Sequence, residues 1–252
     1  MICAVGITKS YTEGSNAVVA LDHVGIEIDR GEFAVIMGRS GAGKSTLLGV
    51  IGGLLKPSSG QVMLNGRSLW SLDERARARI RAEEIGFVFQ NAPAINSLTV
   101  IENVLLPETF SDKHRSIAGT RRATGLLEVM GLGAKAHAYP DELSGGEKRR
   151  IAIASALMND PPIVLADEPT GDLDSETESQ IMDHFAYLKR KGTTIVMVTH
   201  DTKLTAYADR VFRMECGTIH EVSSHAGTQQ TKITNSGPSG RDEGKMPKSS
   251  VQ

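Results

Sequence analysis

The feature that most restricts the fold of this chain is a short apolar strand followed at once by a glycine-rich loop and a helix. The run Phe33–Met37 is continuously apolar, which is typical of a strand buried on both faces of a parallel sheet. The residues that follow, Gly38–Ser45, match the pattern G-x-x-x-x-G-K-[ST]. A helix is predicted from about Gly43. This order predicts a phosphate-binding loop inside an α/β domain.

Each residue type in the loop suits a nucleoside triphosphate. Glycines let the backbone curl so that successive N–H groups point at phosphate oxygens. Lys44 can reach the β- and γ-phosphates, and the Ser45 hydroxyl can bind Mg²⁺. A glycine-rich turn with a chance lysine is the alternative, which the strand-loop-helix order disfavours. The predicted ATP-binding residues of the loop are Gly38, Arg39, Ser40, Gly41, Ala42, Gly43, Lys44, Ser45 and Thr46.

Two acids follow a second predicted buried strand, Ile163–Ala166. Ligands bind at the carboxyl ends of parallel strands, so acids at this position are candidates for catalysis. We expect Asp167 to hold Mg²⁺ and Glu168 to orient or deprotonate the attacking water. The alternative is that both acids only cap the next turn.

Two more polar residues stand at predicted strand ends. His200 follows the strand Thr194–Val198 and Thr199, and can contact the γ-phosphate. Gln90 ends the strand Ile85–Phe89 and can reach Mg²⁺ or the water. Taken alone, each is a weak indication, because isolated histidines and glutamines are more often structural.

A second possible phosphate site lies at Leu143–Glu147, where Ser144, Gly145, Gly146 and Glu147 precede a helix predicted to end near Met158. Backbone N–H groups at a helix start attract anions. The alternative is a simple N-cap by Ser144 with flexible glycines. Since one ATP does not need two such sites from one chain, the second site is expected to serve a nucleotide on another subunit.

Composition excludes several classes of function. The chain has 252 residues, 40% of them hydrophobic, and a net charge of −2. Near neutrality and 4% aromatic residues argue against a generic nucleic-acid binder. No apolar run approaches the about 18–20 residues of a membrane span, and no signal peptide is recognised. We therefore expect a soluble protein whose membrane role comes through a partner.

The periodicity predicts an α/β fold with a mostly parallel core sheet flanked by helices, an antiparallel β subdomain and a helical subdomain. The first helix is expected to turn Leu54 inward, together with its other apolar residues. The predicted ATPase domain covers residues 1–222, with the helical subdomain inserted at about 91–160. Residues 223–252 have little to bury and are predicted to be a disordered tail. Further predicted elements are antiparallel strands over 2–8 and 18–28, a short strand over 61–64, a surface helix over 73–84, a helix over 176–191, and a final strand pair over 210–214 and 217–221.

Taken together and in their order along the chain, the motifs described above resemble those of the ATP-binding cassette (ABC) ATPases. The resemblance covers roughly residues 1–222. The set is specific, because Leu-Ser-Gly-Gly separates this family from other phosphate-loop ATPases. The resemblance implies a head-to-tail homodimer with each ATP between one chain's Gly38–Thr46 and the other chain's Ser144–Glu147. It also implies that Tyr11, expected to follow the first strand, stacks on adenine. Asp174 then lies in the loop that communicates across the dimer, Glu168 is the catalytic glutamate and His200 the switch histidine.

A narrower resemblance links the chain to the lipoprotein-release, macrolide-export and antimicrobial-peptide-export branch, with the cell-division ATPase as a close relative. The motifs that carry it are Ile85–Gln90, Leu98–Pro107, Ala166–Gly171 and Val198–Asp201. The chain departs from the branch at Arg39, Glu147, Lys148, Ser155 and Asp172, none of which removes a catalytic group. It also departs over Asn91–Asn96, where the family docks its membrane partner.

The resemblance implies an ATP- and Mg²⁺-dependent ATPase at the cytoplasmic face of the cell membrane, bound there through an integral membrane permease with a large extracytoplasmic domain. The leading hypothesis is the ATPase of an exporter. The alternative is an ABC ATPase that regulates an extracytoplasmic process such as cell-wall hydrolysis without transport. A third hypothesis, action on nucleic acid or ribosomes, is disfavoured by the charge and by the lack of long insertions.

Overall fold

The computed structural model describes residues 2–13, 16–90, 94–111, 117–171 and 173–222. The predicted tail, Asp172 and the first half of Asn91–Asn96 lie outside these ranges. The strands are β1 (Ile2–Glu13), β2 (Asn16–Ile28), β3 (Phe33–Met37), β4 (Ser59–Leu64), β5 (Arg67–Ser68), β6 (Ile85–Val88), β7 (Ile163–Asp167), β8 (Thr194–Thr199), β9 (Arg210–Glu215) and β10 (Thr218–Val222). The α-helices are α1 (Lys44–Ile51), α2 (Glu74–Glu84), α3 (Val100–Leu105), α4 (Ile117–Val129), α5 (Gly145–Ala156) and α6 (Ser175–Arg190).

The central sheet has the strand order β10-β9-β3-β8-β7-β6. Strands β6, β7, β8, β3 and β9 pair in parallel, and β10 closes one edge antiparallel to β9. A second sheet, ordered β2-β1-β4-β5, is antiparallel. The predicted α/β fold, with a mostly parallel core sheet and a separate antiparallel sheet, is confirmed. The parallel pairing brings the carboxyl ends of β3, β7 and β8 to one edge, where the predicted site residues follow.

The central strands are buried on both faces, as their continuous apolar runs predict. Alternate residues enter two different cores. In β3, Ala34 and Ile36 join α1 and the antiparallel sheet, whereas Phe33 and Val35 join α3, α4, α5 and α6. The same alternation recurs in β7 and β8. The helices of the 91–160 range therefore share a hydrophobic core with one face of the sheet that carries the phosphate loop.

Side-chain caps fix where several helices begin. Asp73 accepts a hydrogen bond from the backbone N–H of Ala76 at 2.7 Å and starts the predicted surface helix α2. Thr99 and Glu102 form a capping box at α3. Helix α3 is short, but its capping box and buried Val104 hold it against the sheet.

Three sequence expectations were wrong in detail. Strand β1 runs to Glu13, so Tyr11 lies within the first strand and not after it. Leu54 was expected to turn inward, yet it is 42% exposed because α1 ends at Ile51, before the Gly52-Gly53 turn. Strand β6 ends at Val88, so Gln90 lies in a turn beyond the strand. Within the described ranges, no helix is both long and apolar enough to cross a membrane.

Candidate nucleotide site

The loop between β3 and α1 has a backbone conformation that favours glycine at two points. Gly41 and Gly43 have φ angles of 79° and 102°, in the region that disfavours side chains. A Cβ on Gly43 would also lie 2.3 Å from the carbonyl oxygen of Ala20. A Cβ on Gly38 would lie 2.4 Å from the carbonyl oxygen of Met214. The loop is thus curled tightly and packed against β9 and the antiparallel sheet.

Lys44, the first residue of α1, lies over the curled loop. Its side chain is buried, and Nζ donates hydrogen bonds to the carbonyl oxygens of Gly38 at 2.8 Å and Arg39 at 3.1 Å. These bonds hold a positive charge at the helix start, where the helix dipole also favours an anion. A cavity of about 730 Å³ lies above the loop, lined on one side by Gly38–Ala42 and on the other by His200, Thr202 and residues 213–216.

Asp167 ends β7 beside the start of α1. Burial raises the pKa of Asp167, and the charge of Glu168 adds to the rise, whereas a hydrogen bond from the Ser45 side chain and the charge of Lys44 lower it. A carboxylate and a hydroxyl are thus adjacent. Mg²⁺ prefers such oxygen donors, takes few from the protein and completes its shell with phosphates and water. The pair Ser45–Asp167 therefore fits a magnesium ion held against a nucleotide.

Glu168 is buried and has an unusual backbone, with a φ angle of 47°. Its N–H donates to the carbonyl of Val198 at 3.0 Å, which ties it to β8. Its carboxylate accepts a hydrogen bond from Thr199 Oγ1 at 3.1 Å and lies 2.9 Å from His200 Nδ1. A left-handed φ on a glutamate costs free energy and persists only where surrounding contacts hold it, which is common at functional sites.

His200 has the opposite environment, since its side chain is 73% exposed. The hydrogen bond to Glu168, together with the charge of Glu168, raises the pKa of His200. The imidazole lines the cavity above the loop while one nitrogen contacts the buried carboxylate. His200 thus connects Glu168 with the space where the phosphates are expected.

Gln90 and Tyr11 do not line the cavity above the phosphate loop. Gln90 is exposed in the turn after β6. Tyr11 is 42% exposed on the antiparallel sheet, opposite Val18 on β2. The ammonium of Lys9 lies 5.0 Å from the centre of the tyrosine ring. The ring is accessible to a ligand, as adenine stacking requires.

The Ser144–Glu147 segment forms the start of α5. Ser144 Oγ accepts a hydrogen bond from the N–H of Glu147 at 3.3 Å, and the Glu147 carboxylate accepts one from the N–H of Ser144 at 2.9 Å, which makes a capping box. Lys135 Nζ also bonds to Glu147 at 2.7 Å. The Lys135 contact and the Ser144 contact lower the pKa of Glu147. The lysine offsets a charge that would otherwise repel an anion at this helix start.

Asp174 is the N-cap of α6. Its carboxylate accepts hydrogen bonds from the N–H of Thr177 at 2.9 Å and from Thr177 Oγ1 at 2.7 Å. These bonds lower the pKa of Asp174. Its role within the chain is to start a helix; the cross-dimer role that the resemblance implies stays a prediction.

The structure brings the predicted residues together in two groups. One group is Lys44, Ser45, Asp167, Glu168 and His200, which lie at the carboxyl edge of the sheet and influence one another through hydrogen bonds or charge. The other group, Ser144–Glu147 and Asp174, lies at separate helix starts, and among the described residues its side-chain hydrogen bonds go to Lys135 and to its own helix starts.

Two contacts of Glu168 were not predicted. Thr199 bonds to its side chain, and Arg149 on α5 donates Nη1 to its carbonyl oxygen at 3.1 Å. Thr199 lies one residue before a predicted site residue and so had a local signal. Arg149 is 19 residues from Glu168, and nothing in the local sequence indicates the pairing.

A second, larger groove of about 870 Å³ lies away from the loop, between α2, β6, the turn over 106–110 and the end of α5. It is lined by both apolar and basic side chains. Phe89 is 43% exposed and Phe110 is 70% exposed, so two aromatic side chains of this groove are open to solvent. The residues that differ from the branch pattern, Asn91–Asn96, begin two positions after Phe89 in the sequence.

Comparison with known proteins gives a consistent result. Residues 21–171 match the family model described as ABC transporter. An uncharacterised ABC transporter ATP-binding protein of Methanocaldococcus jannaschii is 43% identical over 222 residues, covering 88% of this chain and 99% of that protein. A macrolide export ATP-binding/permease protein, MacB, of Chlorobaculum tepidum is 42% identical over 219 residues, covering 87% of this chain but 33% of that protein.

Solved structures agree with the fold. An ATP-binding cassette solved as a dimer in a post-hydrolysis state, bound to ADP and phosphate, is 40% identical with a TM-score of 0.84, covering 88% of this chain and 98% of that one. A dimeric structure of a bacterial ABC transporter cassette is 41% identical, with the same TM-score and the same coverage.

Proposed function

This chain belongs to the ABC transporter family and is an ABC-type ATPase, and we propose that it works as a head-to-tail homodimer around two MgATP molecules to drive a separate membrane permease. The observation that carries the proposal is the division of the predicted site into two groups. One group is assembled at the sheet edge around Lys44 and Glu168; the other, Ser144–Glu147, is presented at a separate helix start.

Within one chain, each group in the first set has a task. Lys44 supplies the positive charge for the β- and γ-phosphates, and the loop N–H groups point at the same oxygens. Glu168 orients and deprotonates the attacking water, and His200 contacts the γ-phosphate from the far side of the cavity. Ser45 and Asp167 would hold Mg²⁺, which neutralises phosphate charge when bound. Gln90 is proposed as a further contact to the metal or the water, and Tyr11 as the adenine platform.

Across the dimer, the start of α5 completes the site. The Ser144 hydroxyl accepts a bond from its own helix but keeps its proton free to donate to a phosphate oxygen. The glycines leave the backbone N–H groups of the helix start open to an anion. Asp174 is proposed to contact the partner chain nearby. Support for pairing comes from the similar cassettes that were solved as dimers.

ATP can then do work because it binds better to the closed dimer than to the open one. A ligand shifts such an equilibrium only by its differential affinity for the two states, and hydrolysis removes that difference. We place the receiver of this work in the membrane. Support comes from MacB relatives, whose name joins ATP-binding and permease functions and of which this chain covers 33%.

The proposed contact with the permease is the groove between α2, β6 and the turn over 106–110. It exposes Phe89 and Phe110. In the sequence, Phe89 lies two positions before Asn91–Asn96, where the family docks its membrane partner. In this proposal the ATPase domain covers residues 1–222 with a helical subdomain over about 91–160. The chain lies at the cytoplasmic face of the membrane, and its partner has a large extracytoplasmic domain.

The experiment is to capture the partner with the chain itself. Tagged chain carrying Glu168→Gln, loaded with ATP, is mixed with detergent-solubilised membranes of the source organism, and bound proteins are identified by mass spectrometry; Lys44→Ala is the control. The proposal is supported by an integral membrane protein that binds only the ATP-loaded chain. This protein should also raise the ATP turnover of the native chain when the two are reconstituted together. A partner bound to a wall hydrolase would favour the regulatory alternative. Stimulation by DNA or RNA but by no membrane protein would overturn the proposal.

A further inference from the structure

One arginine on α5 joins two distant parts of the chain. Arg149 Nη1 donates to the carbonyl oxygen of Glu168 at 3.1 Å and to that of Phe89 at 3.3 Å. The two carbonyls belong to different strand ends of the central sheet, after β7 and after β6. A planar guanidinium, with several N–H donors in fixed directions, is suited to hold two acceptors at once.

The Glu168 end of this bridge is a strained point of the backbone. With a φ angle of 47°, Glu168 needs contacts that keep it in the left-handed region. Its N–H is fixed by Val198, and its carbonyl accepts bonds from the N–H of Gly171 at 3.3 Å and from Arg149. Arg149 is the member of this set that comes from α5. Movement of α5 therefore acts directly on the peptide that orients the Glu168 carboxylate.

The Phe89 end lies at the floor of the groove. The Phe89 ring stacks on Phe87 with ring centres 5.3 Å apart and an angle of 1° between the planes, and both rings line the groove. A protein pressing on this stack would displace the peptide whose carbonyl Arg149 holds. The bridge thus runs from an exposed apolar surface to the catalytic acid through one side chain.

We propose that Arg149 is a positioning residue that holds Glu168 in its working geometry and transmits displacement of the Phe87–Phe89 stack to it. This inference rests on the proposed function, because it assumes that Glu168 activates water and that the groove is occupied. In this role Arg149 acts through Glu168 and does not itself contact the nucleotide. It also predicts that the turnover step, and not ATP binding, depends on Arg149.

The first test separates turnover from binding. In the full chain, Arg149→Lys keeps the positive charge but loses the planar guanidinium whose Nη1 makes both hydrogen bonds. The value of kcat for ATP should therefore fall about tenfold while KM is unchanged, because a small misplacement of a catalytic group affects the chemical step. The matched control is Arg150→Lys on the same helix, because Arg150 Nη1 bonds at 2.9 Å to the carbonyl of Met130, remote from Glu168. Thermal midpoints of the two variants are measured in parallel. An unchanged kcat in Arg149→Lys, or an equal loss in Arg150→Lys, would overturn the proposal.

The second test asks whether the groove acts through this bridge. Phe89→Ala removes the stack and changes no side chain of the proposed nucleotide site, and its effect on kcat is measured alone and combined with Arg149→Lys. Gln90→Ala, at the neighbouring position, is measured in the same way so that an effect through Gln90 is recognised. If the bridge carries the effect, Phe89→Ala lowers kcat in the native background and has little further effect in Arg149→Lys, a non-additive cycle. Additive losses would overturn the transmission role. If the native chain hydrolyses ATP but both tests fail, the role of Arg149 is overturned and the proposed function stands. If the native chain binds ATP but never hydrolyses it, the role of Arg149 and the proposed function are both overturned.

Discussion

The two halves of the proposed nucleotide site are held in different ways. The loop half is buried, with Lys44 at 8% and Glu168 at 9% exposure, and its contacts reach across several strands of the core. In the Ser144–Glu147 half, Ser144 and Gly145 are exposed and the other two residues are half-buried. Its hydrogen bonds go to its own helix start and to Lys135. The first half is organised by the folded chain itself. The second is an open helix start that needs an anion from outside the chain.

Glu168→Gln should have the largest effect and should sharpen this contrast. The amide keeps the shape of the side chain but cannot take a proton from water, so ATP turnover should fall by about 10²–10⁴-fold, the usual contribution of a general base. ATP binding should remain, and the two halves should stay joined in a stable dimer, seen by size exclusion with light scattering. Glu128→Gln, an exposed change on α4, is the control. Unchanged turnover in Glu168→Gln would rule out the assigned role.

Lys44→Ala tests the loop half of the site, which is buried. Loss of charged contacts to two phosphates should weaken ATP binding by about 100-fold or more, measured by titration calorimetry. Lys189→Ala removes a lysine that pairs with Asp209 on the far side of the sheet and serves as the control. Normal nucleotide affinity in Lys44→Ala would count against the loop as the phosphate site.

Tyr11→Ala tests the edge of the same half. Loss of one stacked base contact should weaken ATP binding by about tenfold, because base stacking contributes roughly 1–3 kcal/mol. Tyr11→Phe keeps the ring and should bind like the native chain. Equal affinity in all three proteins would remove Tyr11 from the site.

The smallest predicted effect concerns the acid–base pair at the sheet edge. Because Glu168 raises the pKa of His200, Glu168→Gln should lower that pKa toward the ordinary histidine value, measured by NMR titration of the ring protons. The raised pKa of His200 also affects stability. A histidine whose pKa is higher in the folded than in the unfolded state stabilises the fold at low pH, and this stabilisation is lost as the pH rises through the folded-state pKa. A pKa of His200 that is the same in Glu168→Gln and Glu128→Gln would contradict the contact.

Local pattern predicted most of the fold. The strand Phe33–Met37 was predicted with its bounds, because a buried parallel strand is a continuous apolar run. The error at Leu54 arose because helical periodicity was extended past Gly52-Gly53, where the chain turns. The error at Tyr11 arose because β1 contains irregular pairing before residue 10, which interrupts its alternation.

The candidate site was predictable residue by residue but not in its contacts. The loop motif, the acids after β7 and the histidine after β8 each follow a strand, so their meeting at one edge follows from parallel topology. Arg149 lies 19 positions from Glu168 and 60 positions from Phe89, so a single sequence carries no local signal for the bridge between them or for the left-handed φ of Glu168. The pairing of Glu147 with Lys135 is of the same kind.

The measurement that most directly tests a site shared by two chains is a mixing experiment with two inactive variants. Lys44→Ala disables the loop half. Gly145→Asp places a negative charge at the start of α5. Apart from its chain neighbours and its own helix backbone, no described atom lies within 4 Å of a Cβ there, so the fold should be kept. Gly125→Asp on α4, also at an open position, is the control and should stay active.

If the site is shared, each variant alone is inactive, and mixing them restores ATP hydrolysis. Random pairing makes about half of the dimers mixed, and each mixed dimer has one complete site, so recovery should approach about a quarter of the native rate per chain. Gly145→Asp that remains fully active alone, or a mixture no more active than its two components, would contradict the account.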